Sequence, residues 1–496
     1  MYPRMSDEYD GLDGLVTKVI EEACYAELRL YGWYPDGSGN VVYSPGGLGG
    51  VSQTAAGPGS GHPGDLVSPD GRYIDQTDNG LDAPATLGQV YQFWESAIPP
   101  IFAPFENFPA PHEFQELADH VRESLKQLST EGNSGSGTSS SGASSANVDY
   151  EGNTTLGLAD QVAQVLNTWQ GGAAASFATY LNLFKEVVGN QALACEVLRM
   201  TLLMEKEMWT RMRGDVVEFA RSSANAFQGC GGITVGDVKA ALKVAGSVNT
   251  ILGWFPAFKP ATEAAGKGLT VAGLLVDTFG GKEPPPNELG ARHFKDVLAK
   301  MKTHRDKLKQ TSQTVEGDIK KSLENLKKHI DAAPAARSNG TADQESFRLS
   351  RPSGTYSADS TDDFIYPGVV VNSANVRSAA DMLDRDIAPE MTKAATNLDD
   401  ADSAWQWIRD DSSIGVGTFG CYSEYSAASY TLQKEIAETA KEMEWAAEML
   451  RAVAADLDNT DNDVSDDLAG VRRKIDEYDN PRPVTVPSRG HQRDYE

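Results

Sequence analysis

The chain has 496 residues and 40% hydrophobic content, enough for two or three domains with ordinary cores. Its formal charge of -27 excludes recruitment by charge to nucleic acid or to anionic membrane surfaces, because like charges repel. Four cysteines, Cys24, Cys195, Cys230 and Cys421, stand without C-x-x-C spacing, which excludes a zinc ribbon or a disulfide-stapled miniature fold.

The N-terminus, Met1-Tyr2-Pro3-Arg4-Met5-Ser6-Asp7-Glu8, lacks the basic and apolar regions of a secretory signal, so no classical signal peptide is expected. Over residues 11 to 31, Leu12, Leu15, Val16, Val19, Ile20, Cys24 and Leu28 recur at helical spacing. From Tyr31 to Ala85 the chain is punctuated by turn signals such as Pro35-Asp36-Gly37, Pro45-Gly46-Gly47 and Gly57-Pro58-Gly59, with room for a small hairpin at Val41-Val42-Tyr43. Two helical pieces follow, Gln89 to Ser96 and Pro111 to Leu128. The polar run Asn133 to Gly142 then reads as a flexible tether with nothing to bury, so residues 1 to 130 are expected to be loosely attached.

Beyond the tether, Leu158, Val162, Val165 and Leu166 share one helical face. A much longer periodic stretch runs from Ala173 to about Phe227, carrying Phe177, Leu181, Phe184, Val188, Cys195, Leu198 and Leu202. Between them lies Trp169-Gln170-Gly171, where glycine can close a helix end in the left-handed conformation and the indole can cover the open end of the seam. Unbroken, the long stretch spans roughly 80 Å at 1.5 Å per residue, and it needs a partner of similar length. Residues 291 to 331 supply one through Phe294, Leu298, Met301, Leu308, Val315, Ile319, Leu323, Leu326 and Ile330. Their exposed positions are basic, among them Lys302, Lys309, Lys320, Lys321 and Lys327, and read as a solvated face paired with acidic neighbours.

Trp169-Gln170-Gly171, followed by Gly172-Ala173-Ala174-Ala175-Ser176-Phe177, resembles the turn of WXG100-type proteins. These are the small helical hairpins exported by the type VII (ESX) machinery of actinobacteria, and the resemblance covers about residues 155 to 230. It implies that Trp169 and Gly171, with Phe177 beyond them, belong to a recognition element read by the secretion ATPase or by a WXG100-type partner. It also implies export without a cleavable leader. The family's Tyr-x-x-x-Asp/Glu element is missing after Trp169, since the literal matches, Tyr9 with Asp13 and Tyr91 with Glu95, lie upstream. The export signal is then expected from a partner protein, or else the chain retains the fold and has lost the route.

Val235 to Phe258 and Leu269 to Phe279 form the most apolar text, broken by Pro256-Ala257-Phe258-Lys259-Pro260. Asp237, Lys239, Lys243, Glu263, Lys267 and Asp277 interrupt the run of about 18 uncharged apolar residues that a spanning helix requires, so this stretch reads as buried bundle core and no transmembrane helix is expected. A hydrophobic hairpin between long helices also resembles that of helical pore-forming toxins, which supplies the alternative function.

After a second polar tether, residues 333 to 368, a new hairpin begins. Val376, Ala380, Leu383, Ile387, Met391, Leu398 and Ala401 mark its first arm, and Tyr430, Ile436, Ala440, Met443, Ala447, Leu450 and Ala454 its second. The unit is similar to the ESX-associated excreted hairpin proteins of actinobacteria, with Phe419-Gly420 at the turn.

Catalytic signals are scarce. His112-Glu113 opens like H-E-x-x-H but has Glu116 where the second histidine belongs, and His293 and His304 are three turns apart, too far to share an ion. There is no G-x-S-x-G elbow and no G-x-x-x-x-G-K-[ST] phosphate loop. Cys195 reads as a buried thiol, and a bridge from Cys230 is left open.

The sequence thus predicts a mainly α protein, an elongated antiparallel helical bundle with a W-x-G helix-turn-helix, a C-terminal helical hairpin and flexible linkers. The expected divisions are 1–130, linker 131–152, central bundle 153–332, linker 333–368, hairpin 369–478 and tail 479–496. The expected function is that of a non-enzymatic, leaderless secretion substrate or secretion-associated protein acting by protein-protein contacts at the surface or outside the cell. No catalytic residue, metal or cofactor is assigned; homo-oligomerisation is allowed, and nucleic acid is not an expected partner. The alternative is a pore-forming effector that inserts the 235–279 hairpin.

Overall fold

The computed structural model describes residues 9–30, 33–35, 40–43, 53–56, 87–128, 154–169, 172–230, 293–333, 335–336, 346–349 and 372–458. It is mainly helical, as expected from the 3.6-residue apolar periodicity. The 131–152 tether, the 235–279 apolar stretch and the tail lie outside the described residues.

Helix α1 (Leu12–Leu30) leads into a three-stranded antiparallel sheet of β1 (Trp33–Pro35), β2 (Asn40–Tyr43) and β3 (Gln53–Ala56). Trp33 faces Tyr43, and Asn40 faces Ala56. Then come α2 (Leu87–Ala97), α3 (Pro99–Phe102), a 3-10 turn Ala103–Phe105 and α4 (Pro111–Leu128). α1 and α4 both pack along the long helix α6 (Gly172–Gln228), in one hydrophobic cluster with the rest of the bundle.

The expectation that residues 1 to 130 are loosely attached is therefore corrected. The correction has a physical cause in aromatic residues that leave no periodic trace. Phe102 packs on Phe219 with centroids 4.9 Å apart, Phe108 on Trp209 at 5.2 Å, and Trp94 meets Phe227 and Phe294 edge to face. The Trp94 indole N–H donates to buried Glu27 at 2.7 Å. Tyr9 donates to the Phe105 carbonyl and lies under the Arg213 guanidinium, 4.6 Å from ring to cation.

α6 is the central mast. At 57 residues it is ~85 Å long at the usual helical rise. Short α5 (Thr155–Val165) returns against its first turns, with Asp160 paired to Lys185. α7 (Phe294–Ala332) runs antiparallel to its C-terminal half, as Phe294 near Phe227 through Trp94 and His304 on Phe219 at 4.6 Å establish. The basic side chains of α7 find acidic partners: Lys309 with Asp411, Lys320 with Glu424 at 2.7 Å, and Lys321 with Asp318.

The C-terminal arms are α8 (Ser373–Met382), a π-helical turn Leu383–Ile387, α9 (Ala388–Asp400) and, after a connection, α10 (Tyr422–Asp458). The π turn falls just before Pro389, whose missing N–H breaks the regular ladder there. α8 and α9 pack on α10, held by Arg451 to Asp381 and Asp384. α10 in turn lies antiparallel to the upper half of α6, where Tyr180 packs its ring on Trp445 and Gln191 donates to Thr439. α9 covers α4, with Ser124 donating to the Ala394 carbonyl.

Because the N-terminal segment is core, truncating its anchor is costly. Trp94→Ala is expected to lower the unfolding free energy by about 3–5 kcal/mol in urea denaturation. A loss under about 1 kcal/mol would mean that α2 contributes no core.

Candidate functional site

The expected corner falls between α5 and α6. Thr154 caps α5 by accepting from the Gly157 N–H, and after Val165 the chain turns through Trp169, whose N–H donates to the Leu166 carbonyl at 2.9 Å. The indole is partly buried and lies 6.1 Å from the Phe177 ring, which continues to Tyr180 at 6.3 Å. Trp169 and Phe177 are thus brought together, while Gly171 lies outside the described residues. Of the upstream tyrosines, Tyr9 is a core residue stacked on Phe108. All four cysteines are buried thiols outside any disulfide, so Cys230 makes no bridge; its thiol donates to the Ala226 carbonyl at 3.3 Å.

The second corner, Phe419-Gly420, proves to be one wall of a buried polar centre. Arg409, on the connection between α9 and α10, is buried at the middle of the bundle. Its guanidinium meets both carboxylate oxygens of Glu316 on α7, Nη1 to Oε2 at 2.9 Å and Nη2 to Oε1. Nη1 also donates to the Ile414 carbonyl at 3.1 Å, and the guanidinium stacks 4.7 Å from the Trp209 ring of α6. The Val416 N–H donates to Glu316 Oε2 at 2.6 Å, and the Gly415 N–H to Ser312 Oγ at 3.0 Å. Beside this pair, Glu205 of α6 accepts from Trp209 Nε1 at 3.0 Å and from Cys421 Sγ at 3.2 Å.

Two glycines make the clamp possible. Gly415 and Gly420 have positive φ values of 64° and 54°, and at either position a Cβ would fall onto the Glu316 carboxylate and the Arg409 guanidinium. Gly420 therefore serves the ion pair as well as the turn, and Phe419 beside it projects outward, 48% exposed.

Burial pushes the Glu205 carboxyl up to about 8, and the neighbouring Glu316 carboxylate adds to the rise; Arg409 and the bonds from Cys421 and Trp209 oppose it. Burial, followed by Glu205 and Glu316, drives the Cys421 thiol far above its usual range. A thiol so held is no nucleophile. Glu205, Glu316 and Cys421 place ligand atoms within 4.8 Å of one another, a donor set with metal-binding character. Here the positive charge comes from Arg409, which already takes both oxygens of Glu316. The arrangement holds charge between two helices and a loop, and none of these four side chains reaches solvent.

Sequence reasoning missed this centre, although a signal existed. Glu205 stands in the register of Leu198, Leu202, Trp209 and Met212, and Glu316 in that of Ser312, Ile319 and Leu323, so each carboxylate interrupts a buried seam. The other candidates behave as surface or core groups. His304 is buried against Phe219, and burial with help from Lys307 lowers it to about 4. Comparison of the chain with protein-family profiles, curated proteins and solved structures finds no match.

Arg409→Met is expected to cost about 3–5 kcal/mol, because the Glu316 carboxylate is left buried without its counter-ion. The double variant Arg409→Met/Glu316→Leu should recover most of that loss in the same denaturation experiment. Glu205 gives a pH signature. Its folded carboxyl keeps a proton up to about 8, whereas an unfolded one releases it near 4.5, so stability falls as pH rises across that window. Relative to the parent, Glu205→Gln should therefore gain on the order of 1 kcal/mol per unit between pH 5 and 8. A constant difference between the two proteins over that range would contradict the assignment.

Proposed function

We propose that the chain is a non-enzymatic type VII (ESX)-type secretion substrate or secretion-associated protein, working through protein contacts at the cell surface or outside the cell. The observation that carries this reading is the corner at Trp169. There α5 returns along the start of α6, and the indole is held over Phe177 without being withdrawn into the core. A recognition element has to be both fixed and reachable, and a partly buried indole at a bend meets both conditions.

Two further features support contact rather than chemistry as the mode of action. Trp405 is 71% exposed and Phe419 48% exposed on the α9–α10 connection, and aromatic side chains are the usual anchors of protein interfaces. The packing of α8 and α9 on α10 supports the likeness to the ESX-associated excreted hairpins. The partner is then the secretion ATPase or a WXG100-type hairpin, which also supplies the Tyr-x-x-x-Asp/Glu element that this chain lacks after Trp169. The pore-forming alternative rests on 235–279, outside the described residues. Among the described helices, α6 contains a window long and apolar enough to cross a membrane, but 61% of that window is buried in the bundle, as befits a core helix.

Export into the medium from a host carrying an ESX system tests the proposal. Trp169→Ala should reduce secretion at least about tenfold, an effect of recognition equivalent to ~1.4 kcal/mol, with helical circular dichroism retained. Parental secretion by the folded variant would reject it.

A further inference from the structure

Between α6 and α10 the bundle carries a short extended segment, Ser346–Leu349, that belongs to neither helix. Asn190 Nδ2 donates to the Ser346 carbonyl at 3.0 Å and Gln191 Nε2 to the Phe347 carbonyl at 2.9 Å. Two adjacent side chains of α6 therefore read two successive main-chain carbonyls, a contact that any extended peptide can make. Phe347 is fully buried, edge-on to His329 at the end of α7. Arg348 reaches the buried Glu435 of α10, Nε to Oε2 at 2.7 Å and Nη2 to Oε1 at 2.6 Å. Leu349 is buried, and Arg348–Leu349 pair in parallel with Ala335–Ala336.

The fit is imperfect at the Gln191 carboxamide. Gln191 is fully buried, and its Nε2 also donates to Thr439 Oγ1 at 2.8 Å, while that hydroxyl donates to the Glu435 carbonyl. These bonds fix which end of the carboxamide is which. Among the described residues, Gln191 Oε1 then has no donor with Ser346–Leu349 in place. A buried carbonyl oxygen without a donor costs free energy, so a segment that offers an N–H there would bind better than the resident one.

We propose that the α6–α10 groove is a peptide-docking site that the chain's own Ser346–Leu349 plugs, and that it takes from a partner an extended segment with an aromatic residue followed by a basic one. The groove selects that class by its own chemistry: an enclosed aromatic position beside His329, then a carboxylate at Glu435, with main-chain bonds to Asn190 and Gln191 on the way. The plug lowers apparent affinity by the fraction of time it stays seated, so displacement is part of recognition. This inference does not rest on the proposed export.

The probe is a fluorescein-labelled peptide of residues 343–352, read by anisotropy against the full chain. A Phe347→Gly/Arg348→Gly variant, which empties the groove, is expected to bind it at least about tenfold tighter than the parent does, and adding Glu435→Gln should abolish that gain. A helical variant that binds no tighter than the parent, or binding indifferent to Glu435→Gln, overturns the proposal. Dimerisation of the parent, with no peptide binding by the emptied variant, overturns it too, in favour of exchange between copies. Hydrogen exchange on the unmodified protein covers the case of a variant that fails to fold. Amides of 346–349 should exchange at least about tenfold faster than the α6 amides beside them, as a local opening requires. Exchange at the rate of the α6 core would show a fixed element and end the idea.

Discussion

A guanidinium enclosed by a carboxylate, an indole face and two glycine backbones sets the arrangement of this bundle. Arg409 comes from a loop, Glu316 from α7, and Trp209 with Glu205 from α6, so one contact ties three parts of the chain that are far apart in sequence. Buried ion pairs are poor sources of net stability, because desolvation consumes most of the Coulombic gain. Their strength lies in what they forbid. A helix that slides by one turn here would leave a bare charge in an apolar interior, and apolar side chains alone impose no such penalty on a slipped register.

Around that point the long helix acts as a mast with different partners above and below. Below Glu205, towards Gln228, it is wrapped by α1 and α7, with the rings of Phe102, Phe108 and His304 set against Phe219 and Trp209. Above it, towards Gly172, the partners are α4, α5 and α10, with Gln191 bonded to Thr439 and Tyr180 packed on Trp445. Only the upper half carries the extended segment 346–349. Both candidate interaction features, the Trp169 corner and the plugged groove, lie on that half.

The helices themselves could be read from residue order. Pro111 to Leu128 appears with the bounds its apolar spacing implies, and α1, α6 and α7 begin and end within a few residues of their periodic stretches. Periodicity reports which face of a helix is apolar, and that is enough to define the element. It does not report the neighbour. Trp94, Phe102, Phe105 and Phe108 stand in short or irregular pieces where no period can show, and so the attachment of the N-terminal segment was misread as loose. The polar centre was hidden for a related reason. A glutamate in a helical seam looks like a tolerated exception until a cation arrives from elsewhere, and Arg409 lies in a connection with no pattern of its own.

What residue order determined by itself was local. It set the mainly helical class and the extent of the long helices, and it shows no recognisable catalytic motif, because these follow from spacing and turn chemistry within a few residues. What tertiary structure alone decided was which faces meet. That Glu205, Glu316, Arg409 and Cys421 converge, that Gly415 and Gly420 must lack a Cβ, and that Phe347 enters a groove between α6 and α10 all depend on contacts between residues far apart in the chain. Such contacts are selected by burial and charge pairing in three dimensions, and no one-dimensional period encodes them.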